Sequence, residues 1–360
     1  MNKKLLSIFI VISFVFIVGC TPLFKAKATI DSQISYQANS IKNTILIIGD
    51  GMGANHITAA RTYLGKSLAL DTIINTGFVN TLSYSGTTDS AASATAMATG
   101  HKVFNKQISY YNGSNLETIL EIAKEQGKKT GVITSDNLYG ATPAAFSAHA
   151  KNRGDTTDII NSQITSNIDL LMGQGVNTYN SYAEKIENAG YDYVNNMENL
   201  NSAESKIFGV FNSIDPNEIA SEISVNITQL ATFALNYLNN ENGFTLIFEV
   251  ADIDKRSHDN NLQEMIYEML MLDSLVNTVL NWIGETNDTF LMVTADHETG
   301  GLTLDKTDTY QNLLNTYRFK TTGHTNEYVP YYAVNYDLKE DLIDNIDIFK
   351  LMKFLILGNL

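Results

Sequence analysis

The run NTILIIG at residues 43–49, followed by DGMG at residues 50–53, gives the strongest indication of the fold. A continuous apolar run rich in β-branched residues is typical of a strand that is buried on both faces of a parallel sheet. Similar runs recur at residues 130–134, 207–211, 244–248, 290–294 and 331–334. Because helical patterns separate these runs, we expect an α/β fold of three layers, α/β/α, with a mostly parallel central sheet.

The clearest helical pattern extends from Leu262 to Ile283, where apolar residues repeat at steps of three and four. We interpret its methionines as core packing rather than as a binding surface. The stretch 155–242 is interpreted as an insertion that carries its own helices. Since no convincing boundary interrupts the rest of the chain, residues 43–360 are expected to form one domain.

The first 19 residues have the pattern of a secretory signal. Lys3 and Lys4 precede an apolar run from Leu5 to Val18, after which the small residue Gly19 leads directly into Cys20, the only cysteine in the sequence. The pattern resembles a bacterial lipoprotein signal, which predicts a signal peptide at 1–19 and a lipid-anchored tether at 20–42. The protein would then be an exported cell-envelope lipoprotein on the periplasmic or extracellular face. The alternative is a signal-anchor helix in which the cysteine is incidental.

The acidic charge of the chain limits its partners. The formal net charge is −15, and loss of the two lysines in the signal leaves 22 basic against 39 acidic residues, or −17. Such a surface argues against nucleic acid and anionic lipid as partners. It does not exclude a phosphate ester as substrate, because divalent cations in a site outweigh the distant surface charge.

Acidic and imidazole side chains follow several of the predicted strands, where an open α/β sheet places its site. These candidates are Asp50, Glu249, Asp254, His258, Asp296 and His297, with His324 in a later glycine-flanked loop. Carboxylates mixed with imidazoles suit catalytic zinc. A single Asp after a strand is commonly a helix cap, so the prediction of a metal site depends on these groups acting together.

Ser90 is the candidate nucleophile. It lies in TDSAASATA at residues 88–96, and the small residues after it predict that Ser90 stands at the N-terminus of a helix. Backbone N–H groups and the helix dipole favour an anion there. The alternative is a simple Ser/Asp helix cap. A Ser-His-Asp triad is not supported, because the histidines cluster with acids as metal ligands do.

Six motifs, in order along the chain, resemble the alkaline phosphatase family. They are IGDGMG at 48–53, TDSAASATA at 88–96, ATPAAFSAHAKNR at 141–153, DIDKRSH at 252–258, TADH at 294–297 and GHT at 323–325. The resemblance covers most of the body of the chain. It implies an alkaline phosphatase-like fold and metal-dependent hydrolysis of small phosphate monoesters through a phosphoserine at Ser90, with release of inorganic phosphate outside the cytoplasm.

The resemblance also implies two Zn²⁺ ions, one Mg²⁺ ion and a phosphate-binding group. The first zinc would be held by Asp254, His258 and His324, and the second by Asp50, Asp296 and His297. The magnesium site would be formed by Asp50, Thr142 and Glu249. Phosphate would be bound by Arg153, which Asp89 positions, and by Lys255.

The sequence departs from the family at Gly140, where members usually carry an Asp or His that supports the magnesium site. This puts magnesium occupancy in question. The intervals 153–249 and 297–324 are short for the family, so insertions are reduced. Many members use the second interval for dimer contact, and we therefore expect either a monomer or a homodimer.

Two other functions remain open at this stage. The same fold could act on a phosphodiester, sulfate ester or phosphonate, although Ser90 within TDSAASATA weighs against this. The chain could instead be a catalytically silent surface lipoprotein that binds metal or a host partner, although the intact ligand set argues against it. We interpret His56, His101 and His149 as surface or packing residues and Glu298 as a loop acid.

Overall fold

The computed structural model describes residues 41–214, 224–305, 307–315 and 318–358. The predicted signal peptide at 1–19, Cys20 and nearly all of the predicted tether lie outside the described residues. Within these ranges, none of the helices combines the length and the apolar character that a membrane crossing requires.

The described residues contain sixteen strands, ten of which form one central sheet. The strands are β1 Asn43–Gly49, β2 Asn75–Asn80, β3 Tyr110–Tyr111, β4 Ser114–Asn115, β5 Lys129–Asn137, β6 Leu170–Gln174, β7 Tyr191–Val194, β8 Lys206–Phe211, β9 Ser213–Ile214, β10 Ser224–Val225, β11 Phe244–Val250, β12 Thr289–Thr294, β13 Glu298–Thr299, β14 His324–Thr325, β15 Val329–Val334 and β16 Leu342–Asp344. The order in the central sheet is β16-β2-β15-β12-β1-β11-β5-β6-β8-β7. Every neighbouring pair is parallel except the two that β15 makes with β12 and β2. The predicted mostly parallel sheet is therefore confirmed.

Strand β1 occupies the middle of the sheet, as its apolar sequence predicts. It pairs in parallel with β11 on one side and β12 on the other, and the side chains of residues 45–48 are completely buried. The polar Asn43 at its start is satisfied, because its amide donates to the Thr289 hydroxyl and its carbonyl oxygen accepts from the Phe244 N–H. Buried polar groups with partners cost little, so β1 can begin inside the core.

Helices cover the sheet in two groups, which supply the outer layers of the α/β/α fold. In chain order the helices are α1 Ala54–Leu64, α2 Ser90–Thr99, α3 Ile119–Glu125, α4 Ala141–Ser147, α5 Thr156–Thr165, α6 Val176–Tyr179, α7 Ala183–Asn188, α8 Met197–Asn201, α9 Ile227–Leu238, α10 Asp252–His258, α11 Leu262–Ile283 and α12 Asn345–Leu357. Helices α1, α9 and α10 pack on α11, whereas α3, α4 and α12 pack around α2. Short 3₁₀ turns occur at Ala69–Thr72, Asn180–Tyr182 and Leu313–Asn315.

Helix α11 has the bounds that the apolar periodicity predicts. Its stripe from Met265 to Ile283 is buried against the sheet and neighbouring helices. Each such side chain contributes about 1.5–3 kcal/mol by leaving water. The methionines of this helix are core residues, as the sequence analysis expected.

The stretch 155–242 continues the central sheet and does not form a separate body. It supplies β6, β8 and β7, which extend the sheet beyond β5 in parallel register. Its helices α5 and α9 pack on elements of the main domain.

The carboxyl ends of four neighbouring parallel strands, β12, β1, β11 and β5, meet at one edge of the sheet. Asp296 follows β12, Asp50 follows β1, and Glu249 is the penultimate residue of β11. Ligand sites of open α/β sheets form at this edge. The fold therefore brings together the acidic residues that the sequence placed after separate strands.

Candidate metal centre

Asp50, Asp296 and His297 form a buried group that we call the inner cluster. Their ligand atoms all lie within 4.8 Å of one another. His297 Nε2 is 3.4 Å from Asp50 Oδ1 and 3.3 Å from Asp296 Oδ2. All three residues come directly from the ends of β1 and β12, so the central strands fix their positions.

Two carboxylate oxygens of the inner cluster lack the partners that buried oxygens normally have. Asp296 Oδ1 accepts from the backbone N–H groups of Gly51 and His297. Asp296 Oδ2 and Asp50 Oδ1, in contrast, accept no hydrogen bond from any residue that the structure describes. An unpaired buried carboxylate oxygen is costly, and buried charges of this kind are normally paired or coordinate a metal ion. The donor set of two carboxylates and one imidazole fits a divalent cation such as zinc.

Asp254, His258 and His324 form a second group, the outer cluster, whose ligand atoms also lie within 4.8 Å of one another. His258 Nε2 is 3.2 Å from Asp254 Oδ2, and His324 Nε2 is 3.5 Å from Asp254 Oδ1. Asp254 and His258 stand on α10, four residues apart, while His324 begins β14. Helical spacing thus puts two ligands on one face, and a separate two-stranded sheet supplies the third.

The two histidines of the outer cluster turn their Nε2 atoms toward each other. Their Nδ1 atoms face backbone carbonyls, that of Thr322 for His258 and that of Thr88 for His324. A ring that donates Nδ1–H to a carbonyl has a lone pair at Nε2 when it is neutral. The two Nε2 atoms are 3.2 Å apart, so two neutral rings would repel unless a cation lies between them. This arrangement is the one that metal-binding histidines adopt.

Thr299 and Gly51 join the two clusters. The Thr299 hydroxyl donates to Asp254 Oδ1 at 2.5 Å and lies 3.2 Å from His297 Nδ1. Gly51 has a φ of 78°, and a Cβ there would lie only 2.7 Å from the Asp254 Cα. Glycine is therefore required for the loop after β1 to approach α10 this closely.

Ser90 is the first residue of α2, which confirms the prediction that it stands at a helix N-terminus. Asp89 caps this helix, because its side chain accepts from the Ala92 N–H. Ser90 Oγ lies 3.3 Å from His297 Nε2, at the inner cluster. The N-terminus of the helix and the inner cluster therefore converge on one hydroxyl oxygen.

Arg153 lies beside the Ser90 helix. Its Nη1 is 3.4 Å from Asp89 Oδ2, and its backbone N–H donates to the Lys106 carbonyl. Lys106 in turn donates its N–H to the Asp89 carboxylate. Asp89 therefore holds both the helix start and the guanidinium group, whose planar fork is suited to binding phosphate oxygens.

Glu249 and Thr142 are the other two residues of the predicted magnesium site, beside Asp50. Glu249 stands between Ile48 of β1 and Thr134 of β5 in the sheet register, and it accepts a hydrogen bond from the Thr134 hydroxyl. Burial raises the pKa of Glu249 to about 7, against the opposing effect of the Thr134 hydroxyl. Oxygen donors from Asp50, Thr142 and Glu249 are the type that magnesium prefers.

Lys255 follows Asp254 on α10 and forms two ion pairs. Its Nζ is 2.8 Å from Asp136 Oδ2 and 2.8 Å from Asp252 Oδ1. Burial alone would lower the pKa of Lys255, but the two carboxylates raise it overall. The Lys255 side chain is therefore a cation at neutral pH.

The two clusters differ in their electrostatics. Burial lowers the pKa of His297 to about 4 and raises that of Asp296 to about 6. The hydrogen bond with Asp254 raises the pKa of His258 to about 9. Burial, with the charges of Asp296 and Asp254, raises the pKa of Asp50 well above its usual value. Without a cation, the inner carboxylates thus favour protons, which a divalent ion would displace.

All the predicted site residues within the described ranges converge on this edge of the sheet. Sequence reasoning missed Thr299 and Asp136, which no motif separated from ordinary loop residues. It interpreted His56 as a surface or packing residue, and the structure buries it completely. The His56 ring accepts from the Gly53 N–H and contacts the Ser257 hydroxyl on α10. The sequence analysis interpreted Glu298 as a loop acid, but it lies buried in the short strand β13. It accepts from the Gly301 and Leu302 N–H groups and from Thr325.

The known proteins that resemble this chain in sequence and in structure include several alkaline phosphatases. The family model for alkaline phosphatase matches residues 41–347. Alkaline phosphatase 3 of Bacillus subtilis strain 168 is 31% identical over 291 residues, which covers 74% of this chain and 63% of that relative. The cold-active alkaline phosphatase of a psychrophilic Shewanella species has a TM-score of 0.77 and 26% identity, covering 87% of this chain and 99% of the solved one. A variant of the TAB5 alkaline phosphatase, with Mg bound in its M3 site, has a TM-score of 0.75 and 26% identity, covering 89% and 99%.

Proposed function

Since the chain belongs to the alkaline phosphatase family, we propose that it hydrolyses phosphate monoesters through a phosphoserine at Ser90 and releases inorganic phosphate. The observation that carries this proposal is the position of Ser90 Oγ, 3.3 Å from His297 Nε2 at a group of unpaired carboxylate oxygens. The chain spans 63% of the length of the Bacillus subtilis relative, so the activity of the whole protein is part of the proposal.

The proposal includes two Zn²⁺ ions and one Mg²⁺ ion. The outer cluster would hold one zinc, the inner cluster the other, and Asp50, Thr142 and Glu249 the magnesium. Bound divalent cations lower the pKa of a coordinated hydroxyl and neutralise negative charge that develops on phosphate and leaving oxygens. Their charge would also offset the strongly acidic body of the protein.

The chain's own residues would bind the phosphoryl group and supply the nucleophile. Arg153, held by Asp89, would bind two phosphate oxygens, and the N–H groups at the start of α2 would favour the anion. Ser90 Oγ would lose its proton and form a bond to phosphorus while the bond from phosphorus to the ester oxygen breaks. The departing oxygen takes up a proton and leaves as an alcohol. Water then cleaves the phosphoserine, which returns the Ser90 hydroxyl and releases phosphate.

We also propose that the protein is exported and anchored through a lipid on Cys20, as either a monomer or a homodimer. The apolar run that leads through the small residue Gly19 into Cys20 supports the proposal of a lipid anchor. In cells, the wild-type protein would fractionate with membranes, and Cys20→Ala would abolish incorporation of labelled fatty acid. Equal lipid labelling of both proteins would reject the anchor.

Hydrolysis of p-nitrophenyl phosphate tests the proposed reaction. The purified protein, supplied with zinc and magnesium at alkaline pH, should turn over the monoester, and a chelator should abolish turnover. Ser90→Ala should reduce the rate by at least about 10³-fold, whereas Ser114→Ala, at an exposed serine, should not. Acid quenching should trap phosphate on the Ser90 peptide in the wild type only.

Two results would reject the proposal. Faster turnover of bis(p-nitrophenyl) phosphate than of the monoester would indicate a diesterase. A folded, metal-loaded protein that hydrolyses neither compound would indicate a narrow specificity or a binding role.

A further inference from the structure

Lys255 is held between two structural elements rather than by its own helix alone. Asp252, which stands three residues before it on α10, forms one ion pair, and Asp136 near the end of β5 forms the other. Asp252 also pairs with Arg256 at 3.1 Å. Asp136 is therefore the partner that ties the Lys255 ammonium group to the sheet.

Asp136 is itself fixed by its surroundings. Its backbone N–H donates to the Thr134 hydroxyl, which in turn donates to Glu249. Its Oδ1 accepts from the Asn137 amide, which leaves Oδ2 directed at Lys255. A continuous set of contacts thus runs from Glu249 through Thr134 and Asp136 to Lys255.

The turn after β5 admits no side chain at residue 140. The Gly140 N–H donates to the Asn137 carbonyl at 2.7 Å, and a Cβ on Gly140 would lie 2.8 Å from that same oxygen. Real Cβ atoms do not approach an oxygen this closely without a backbone shift. The carboxylate on this side of the site therefore comes from the strand, at Asp136, and not from the turn.

We infer that Asp136 is a positioning residue that directs the Lys255 ammonium group toward the substrate phosphate. This inference rests on the proposed function. Lysine has a flexible four-carbon stem and three N–H donors. The ammonium nitrogen lies 2.8 Å from one carboxylate oxygen of Asp136 and of Asp252, and 45% of the side chain is exposed, so its exposed side can reach a phosphate oxygen or a bridging water. Fixing the stem at two points before substrate binds lowers the entropy cost of that contact.

The alternative is that Asp136 competes with phosphate for Lys255. Its negative charge stands near an anion site, so removing it would strengthen phosphate binding if positioning were unimportant. The two readings predict opposite signs for the same substitution, which makes the inference testable.

The test is Asp136→Asn in the full, metal-loaded protein. We expect the KM for p-nitrophenyl phosphate and the Ki for inorganic phosphate to rise about 5- to 20-fold, with kcat changed less than about threefold. Zinc content and the thermal unfolding midpoint should stay at wild-type values, because Asp136 binds no metal in this scheme. Asp259→Asn, which removes an exposed carboxylate from the same region of α10, should leave both constants unchanged.

A double-mutant cycle separates positioning from other roles. Lys255→Ala should weaken phosphate binding, and adding Asp136→Asn to it should have no further effect. Direct titration of the zinc-loaded proteins with inorganic phosphate gives a readout independent of turnover. Tighter phosphate binding by Asp136→Asn, or a full additional loss in the Lys255→Ala background, would overturn the inference. Absence of monoester turnover in the wild type would instead reject the proposed function.

Discussion

The inner and outer clusters use the same residue types but stand on different parts of the fold. Asp50, Asp296 and His297 follow two central parallel strands, and the His297 side chain is completely buried. Asp254, His258 and His324 stand on a short helix and a two-residue strand, and 38% of the His258 side chain is exposed. The central sheet therefore determines the inner geometry, whereas the outer geometry depends on how a helix and a separate short strand meet.

The two clusters also differ in the pKa values of their histidines. Burial lowers the pKa of His297 to about 4, so this ring is neutral and ready to bind a cation at neutral pH. The hydrogen bond with Asp254 raises the pKa of His258 to about 9. A cation entering the outer cluster must therefore displace a proton from His258, whereas one entering the inner cluster displaces protons that the buried carboxylates favour. We expect the inner cluster to resist perturbation of the metal supply better than the outer cluster, because the central strands fix its ligands in a buried position.

The largest effect is expected from Asp296→Asn at the inner cluster. The amide oxygen can still accept from Gly51 and His297, so the fold should persist, but one anionic ligand beside Ser90 is lost. We expect kcat/KM for p-nitrophenyl phosphate to fall by at least about 10³-fold. Excess zinc should not restore it, because the altered group supports the nucleophile itself.

Asp259→Asn serves as the control, since it removes an exposed carboxylate that has no place in either cluster. Circular dichroism should show the same secondary structure in both variants. Restoration of Asp296→Asn to near wild-type rates by zinc would contradict the contrast between the clusters.

A smaller and reversible effect is expected from His258→Ala at the outer cluster. The exposed side chain leaves a cavity that solvent and small molecules can enter. We expect kcat/KM to fall about 10- to 100-fold at limiting zinc and to recover partly when zinc and imidazole are added together. Equilibrium dialysis should report one weakened zinc site and one intact site. If imidazole has no effect at any zinc concentration, the outer cluster is more rigid than its exposure suggests.

The same contrast explains what the sequence could predict. The inner ligands follow long apolar strands, and parallel strands bring their carboxyl ends to one edge of a sheet. The sheet, helix α11 and the helix that starts at Ser90 could therefore be predicted from periodicity and residue size. The residues of the outer cluster were candidates on residue type, but their assignment to one metal site depended on the family resemblance, because no local pattern relates His324 to α10.

Other parts of the site could not be predicted because they depend on the tertiary structure. Thr299 contacts Asp254 across 45 residues, and Asp136 contacts Lys255 from a different strand. The rings of His258 and His324 are oriented by the carbonyls of Thr322 and Thr88, which every residue type possesses. Because the sequence does not indicate which backbone carbonyl a side chain will contact, the orientation of these two ligands could be determined only from the structure.

The smallest expected effect is a pH dependence of stability in the metal-stripped protein. Glu249 has a pKa of about 7 in the folded protein, and burial raises that of Asp50 well above its usual value. Both carboxyls are ionised in the unfolded chain above about pH 5. The folded state therefore binds more protons near neutrality, and its free energy of unfolding falls as the pH rises through the folded pKa values. His258, with a raised pKa, acts in the same direction.

Groups whose pKa is lowered in the folded protein oppose this fall in stability, and they set the pH range in which it can be measured. His56 and His297 both have pKa values lowered to about 4. They therefore stabilise the folded state increasingly as the pH rises from about 4 to 6.5, and they add no further stability above pH 6.5.

Between about pH 6.5 and 9, the chelated protein should lose on the order of 1 kcal/mol of its free energy of unfolding, as measured by urea titration. Glu249→Gln should flatten this slope, because it removes one of the titrating groups. Metal should reverse the slope in the wild type, since bound cations stabilise the ionised carboxylates. A chelated protein whose stability rises over this window would show that the buried carboxylates are ionised without metal.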